Sequence, residues 1–79
     1  MIDKILSFKV FCLESYKAIR NLLGPLSHEI FVKNNVFGYV TKCYDALHAN
    51  GRLYIVSDID EYISNRKGSE SNHELSMLG

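Results

Sequence analysis

Apolar residues at the start of this chain return at every third or fourth position. Ile5, Phe8, Cys12, Tyr16, Ile19 and Leu23 step by three and four, the spacing that stacks side chains along one face of an α-helix. The pattern resumes at Val36, Tyr39, Val40, Cys43, Tyr44 and Leu47, and Tyr39 to Ala49 lacks the period-two alternation of a half-buried strand. An all-α fold follows. Seventy-nine residues fit one domain, which at this size buries only about 60% of the surface of its unfolded chain. That excludes a two-domain enzyme and leaves little core from which to carve a catalytic cleft.

Breakers divide the pattern into four expected helices. The first runs from Ile2 to about Leu22 and ends before Gly24 and Pro25, where Gly24 supplies a left-handed terminator. A short second helix is expected from about His28 to Asn34, with Ser27 as its cap and Leu26 reaching Phe31 as a staple. The third runs from Val36 to Ala49 and closes at Asn50 and Gly51. Leu53 to Val56 reads as a short extended segment or a single turn before a last helix opened by Ser57 or Asp58, with Glu61 completing a capping box. The expected architecture is thus a compact four-helix domain over 1–66 with a short extended segment before the last helix. Residues 67–79, KGSESNHELSMLG, read as a polar, disordered tail. The expected core comprises Ile5, Phe8, Cys12, Tyr16, Ile19, Phe31, Val40, Cys43, Leu47, Ile55, Ile59 and Tyr62.

Charge and cysteine content narrow the function classes. Nine Lys and Arg balance nine Asp and Glu, so the chain has no global field for phosphate backbones. The first 42 residues nevertheless carry Lys4, Lys9, Lys17, Arg20, Lys33 and Lys42 against three acids, and the remainder carries the compensating excess of acid. Attraction between the two halves of one fold is the expected cause, with a basic docking face as the alternative. No apolar run reaches the roughly 18 residues of a membrane span, and Asp3, Lys4 and Lys9 interrupt the first apolar stretch, which does not read as a signal peptide. A cytoplasmic location is expected. Cys12 and Cys43 are too few for a disulfide scaffold and fall on apolar faces as buried thiols.

Candidate chemistry is sparse. On a helix Tyr44 and His48 stack at i and i+4, and Asp45 reaches His48 at i+3. That is half of a general-base arrangement, but spacing places no nucleophile beside it. No catalytic residue is therefore expected, and the chain is read as no enzyme. No two of Cys12, His28, Cys43, His48 and His73 show the close spacing of a zinc site, and the glycines stand singly. Neither metal nor cofactor is expected. A helix-turn-helix would have to read DNA with Val36 to Ala49, which offers only Thr41 and Lys42 outward. Nucleic acid is not the expected partner on that equipment, and a small helix-turn-helix-like regulator is the alternative function.

The first helix carries a second apolar stripe opposite the first. Leu6, Val10 and Leu13 recur at four and three, rimmed by Lys9 and Lys17. Either the helix is central and buried on both sides, or this face is offered to a partner or a second copy.

Three segments carry a resemblance. Phe11 to Glu14 (FCLE), Tyr44 to Gly51 (YDALHANG) and Tyr54 to Ile63 (YIVSDIDEYI) resemble, in that order, the FC(I/L)E, YDxLHxxG and YIVxDIxEY(I/L) segments of a bacterial family of short domains of unknown function. The resemblance spans about residues 8–65. It implies genomic company, since such domains are often encoded beside proteins that look like ADP-ribosyltransferase toxins, and hence an antitoxin-like partner acting by binding. It supplies no catalytic residue, so Tyr44, Asp45 and His48 enter as motif positions. The expected function is a non-catalytic interaction protein that binds a neighbouring gene product or itself.

Overall fold

The computed structural model describes residues 3–78, with side chains over 3–66. Among these residues the fold is all-α, with five helices and no strand: α1 (Lys4–Ile19), α2 (Gly24–Lys33), α3 (Val36–Lys42), α4 (Tyr44–Leu47) and α5 (Arg52–Leu78). The expected tail over 67–79 falls outside the residues whose side chains are described.

Helix α1 is the hub, packing against α2, α3 and α5. Asp3 caps it, accepting the Ile5 amide at 3.1 Å. Its periodic face supplies Phe8, Cys12 and Tyr16 to a core that also takes Phe31, Val36, Val40, Leu47, Ile55, Val56, Ile59 and Ile63. Burying an aliphatic or aromatic side chain of this kind contributes about 1.5–3 kcal/mol, and a domain this small depends on nearly all of them. Ile19, Cys43 and Tyr62, expected in the core, pack at its edge, whereas Ile5 is only half-buried and lies outside the cluster.

The first turn is made by Asn21, not Gly24. Asn21 adopts φ 55°, and the Leu22 and Asn21 amides donate back to the Lys17 and Ala18 carbonyls at 2.9 and 3.3 Å. This is the Schellman arrangement, with Leu22 folded onto the core edge. Because the turn is complete by Leu22, Gly24 and Pro25 are free to begin α2, and Pro is suited to a first turn, where its missing N–H costs nothing. Ser27 accordingly lies inside α2, fully buried, and its hydroxyl donates to the Gly24 carbonyl at 2.9 Å instead of capping. Asn35 takes the same left-handed conformation, φ 54°, between α2 and α3.

Two further expectations are corrected. The single helix over 36–49 is broken at Cys43, whose φ of −101° and ψ of 18° fall outside the helical range, giving α3 and α4. The extended segment over 53–56 is helical and belongs to α5. Its Ile55, Val56, Ile59 and Ile63 are buried in one helical face, and this shared burial overrides the β-branched preference of Ile55 and Val56. Among the described residues there are thus five helices and no extended segment before the last. Asp58, expected as a cap, lies in mid-helix.

Contacts between α1 and α5 join the two halves of the chain. Arg52 Nε donates to the buried Ser15 hydroxyl at 3.3 Å, and Arg20 pairs with Asp60. Both members of that ion pair are partly exposed, so it contributes about 0–1 kcal/mol.

Candidate functional site

Three places on the surface gather chemistry-bearing or unpartnered side chains. The first lies on α1, opposite the core. At about 100° per residue, Val10 stands roughly 160° round the helix from Cys12, Leu6 about 120° and Leu13 about 100°. Val10 and Leu6 are 52% and 55% exposed, while Leu13, nearest of the three to the core face, leans back against the core edge. Leu13 is therefore shared between the stripe and the core. Phe11, absent from the expected stripe, joins it at 41% exposure, its ring 6.4 Å from that of Phe8.

These side chains form two ridges at i and i+4, Leu6–Val10–Glu14 and Ser7–Phe11, with a furrow of about 600 Å³ between them. Parallel ridges of this kind are how one helix receives another. Lys9 is half-exposed, and Lys17 pairs with Glu14 at 3.0 Å along the rim.

The second place is the Tyr44–His48 pair. Their rings are 4.3 Å apart and 2° from parallel, as the i, i+4 spacing predicted. Phe8 meets Tyr44 edge-on at 5.2 Å, and the Lys4 ammonium lies 5.6 Å from the centre of the Tyr44 ring. Asp45 does not orient the imidazole. His48 Nδ1 is 2.7 Å from the Tyr44 carbonyl, and a carbonyl only accepts, so Nδ1 carries a proton. The bond ties the ring to the end of the four-residue α4, and Asp45 stands exposed in its first turn.

The third place went unread in the sequence. Tyr39 from α3 and Tyr62 from α5 stack at 4.0 Å with planes 13° apart. The Tyr39 hydroxyl donates to Asp58 Oδ2 at 2.5 Å, and the Tyr62 hydroxyl donates to the Asn34 carbonyl at 3.0 Å. Arg66 donates to the Tyr62 oxygen at 3.3 Å. With Glu61 and Asn65 they line a cavity of about 310 Å³. Burial, and then the hydrogen bond and negative charge of Asp58, hold the Tyr39 phenol above its ordinary range, so it stays protonated at neutral pH. A trace was present in the sequence, since Asp58 and Tyr62 are i, i+4 neighbours, but their meeting with Tyr39 is a tertiary event.

Among the described residues, no group of three or more His, Cys, Asp or Glu is placed to hold a metal, and no helix is long and apolar enough to cross a membrane. Cys12 is fully buried and Cys43 half-buried. The family model described as "Protein of unknown function (DUF3791)" matches residues 7–66. No curated protein and no solved structure matches the chain.

Proposed function

The chain belongs to the DUF3791 family of proteins of unknown function, and on that premise we propose that it is a non-catalytic protein–protein interaction module that works through the exposed apolar face of α1. The observation that carries this reading is the set Leu6, Val10 and Phe11, left 55%, 52% and 41% exposed around a furrow of about 600 Å³. Clustered apolar side chains on a small soluble domain mark contact surfaces. The partner in this reading is the product of a neighbouring gene, a toxin of the ADP-ribosyltransferase type, with the present chain as its antitoxin-like accessory. That choice rests on the segment resemblance, and the face itself favours any partner that presents an apolar helix.

The polar clusters support a non-enzymatic reading because their groups are spent on the fold. Asp58 accepts from Tyr39, Tyr62 donates to a main-chain carbonyl, and His48 Nδ1 is held by the Tyr44 carbonyl. The test is co-expression of the tagged chain with the adjacent gene product, comparing wild type with the Leu6→Asp, Val10→Asp double variant. Stoichiometric co-purification that the double variant loses while keeping its helical circular dichroism supports the reading. Retention by both proteins overturns it.

A further inference from the structure

We propose that the exposed face of α1 also pairs with α1 of a second copy of this chain, the two helices running antiparallel about a two-fold axis at Val10. This rests on the reading of that face as a contact surface and names one occupant for it. The order of side chains along the face carries this pairing. Asp3, Val10 and Lys17 recur at seven residues, which places them on nearly one line along a helix. An acid thus stands at one end, an apolar residue at the centre and a base at the other end.

Turning a second copy end for end sets Val10 on Val10 and brings each Asp3 to the other copy's Lys17. In a parallel arrangement like charges would meet instead. Both charges reach the surface, and each would share the contact it already makes within its own chain. Asp3 is exposed and spends one carboxylate oxygen on the Ile5 amide. The Lys17 side chain is 36% exposed and its in-chain partner is Glu14, one turn away on the same rim. Leu6 and the other copy's Leu13 complete the apolar seam, a short a/d pattern of the kind that pairs helices. The furrow between Ser7 and Val10 offers the notch into which an identical ridge fits. A net charge of zero means that two copies do not repel one another as wholes.

The seam is short, well under the 20–30 residues a side of a standard interface, so the pairing is reversible and depends on concentration. Sedimentation velocity of the full chain from about 10 µM to 1 mM, a range that brackets weak association, reads it directly. The expected result is a shift from the 9.0 kDa monomer toward twice that mass. Val10→Asp stays monomeric throughout, as does Leu6→Gln, which serves if the first variant folds poorly. In a Cys43→Ser background, Val10→Cys links two copies by a disulfide under mild oxidation, because residue 10 meets itself on the axis.

A wild-type chain that remains monomeric at the highest concentration overturns the pairing. So does a dimer that survives both Val10→Asp and Leu6→Gln, or one in which Val10→Cys fails to link. A monomer whose Leu6→Asp, Val10→Asp variant still loses the neighbouring gene product removes only the self-pairing. A dimer beside a partner that binds the double variant normally removes only the proposed function.

Discussion

The Tyr39 hydroxyl and the Asp58 carboxylate, nineteen residues apart in sequence, are joined by a 2.5 Å hydrogen bond that fastens α3 to the second turn of α5. The stack of Tyr39 on Tyr62 lies beside it, so two aromatic side chains and one acid hold the two helices in register. Tyr39→Phe keeps the stack but leaves a half-buried carboxylate without its donor, at an expected cost of about 1–2 kcal/mol. Chemical denaturation measures this. In Asp58→Asn the acceptor survives without its charge, and the Tyr39 phenol then ionises at lower pH, which spectrophotometric titration of phenolate absorbance resolves.

The same raised phenol makes the fold sensitive to alkali. Burial also pushes the Cys12 thiol up to about 12. Both groups are neutral in the native chain where the unfolded chain has begun to ionise, from about pH 8.5 for a thiol and about pH 10 for a phenol. Their contribution is therefore complete below those values and falls as pH rises toward the native ones. Urea midpoints should fall steadily from about pH 9 upward, with Cys12→Ala reducing the slope.

Burial separates the two thiols as well. Cys12 is fully enclosed, whereas Cys43 is half-exposed at the break between α3 and α4. Electrophilic reagents that the thiolate attacks should modify Cys43 in the native protein and reach Cys12 only on unfolding. Peptide mapping after a timed alkylation distinguishes them.

Asn21 sits at φ 55° in the turn that ends α1. Asn21→Gly is expected to leave the melting temperature unchanged or slightly higher, since glycine takes this conformation without strain. Asn21→Val places a β-branched residue there and costs about 1–2 kcal/mol, or roughly 4–16 °C in a domain of this size.

How far this fold could be read in advance depends on the range of the forces involved. The buried face of α1 and the stacking of Tyr44 on His48 follow from local spacing, and both were legible. The termination at Asn21 was not, because Gly24 carries the stronger local signal for a left-handed turn, and Asn21 prevails only because Leu22 then folds onto the core. Ile55 and Val56 favour extended structure by themselves, and they are helical because burial continues through Ile59 and Ile63. The unpartnered stripe at Leu6 and Val10 was visible as a periodicity, but that Leu13 leans inward and Phe11 outward required the surrounding helices. The Tyr39–Asp58–Tyr62 cluster joins α3 to α5, and beyond the i, i+4 spacing of Asp58 and Tyr62 nothing along the chain encodes their meeting with Tyr39.

The basic first half of the chain is partly consumed within the fold. Lys4 lies over Tyr44, Lys17 pairs with Glu14 and Arg20 pairs with Asp60. Half of its six cations are thus engaged, which disfavours a regulator that binds DNA. A mobility-shift assay at about 50 mM salt, where phosphate contacts are strong, should show no retardation.

Exposure of Leu6 and Val10 is the centre of the account, and co-expression of the double variant with the adjacent gene product tests it most directly. The account predicts that Leu6→Asp, Val10→Asp folds with unchanged helical circular dichroism, melts within a few degrees of wild type and no longer retains the partner that wild type holds stoichiometrically. A double variant that still binds that partner, or that loses its helical signal, would contradict it.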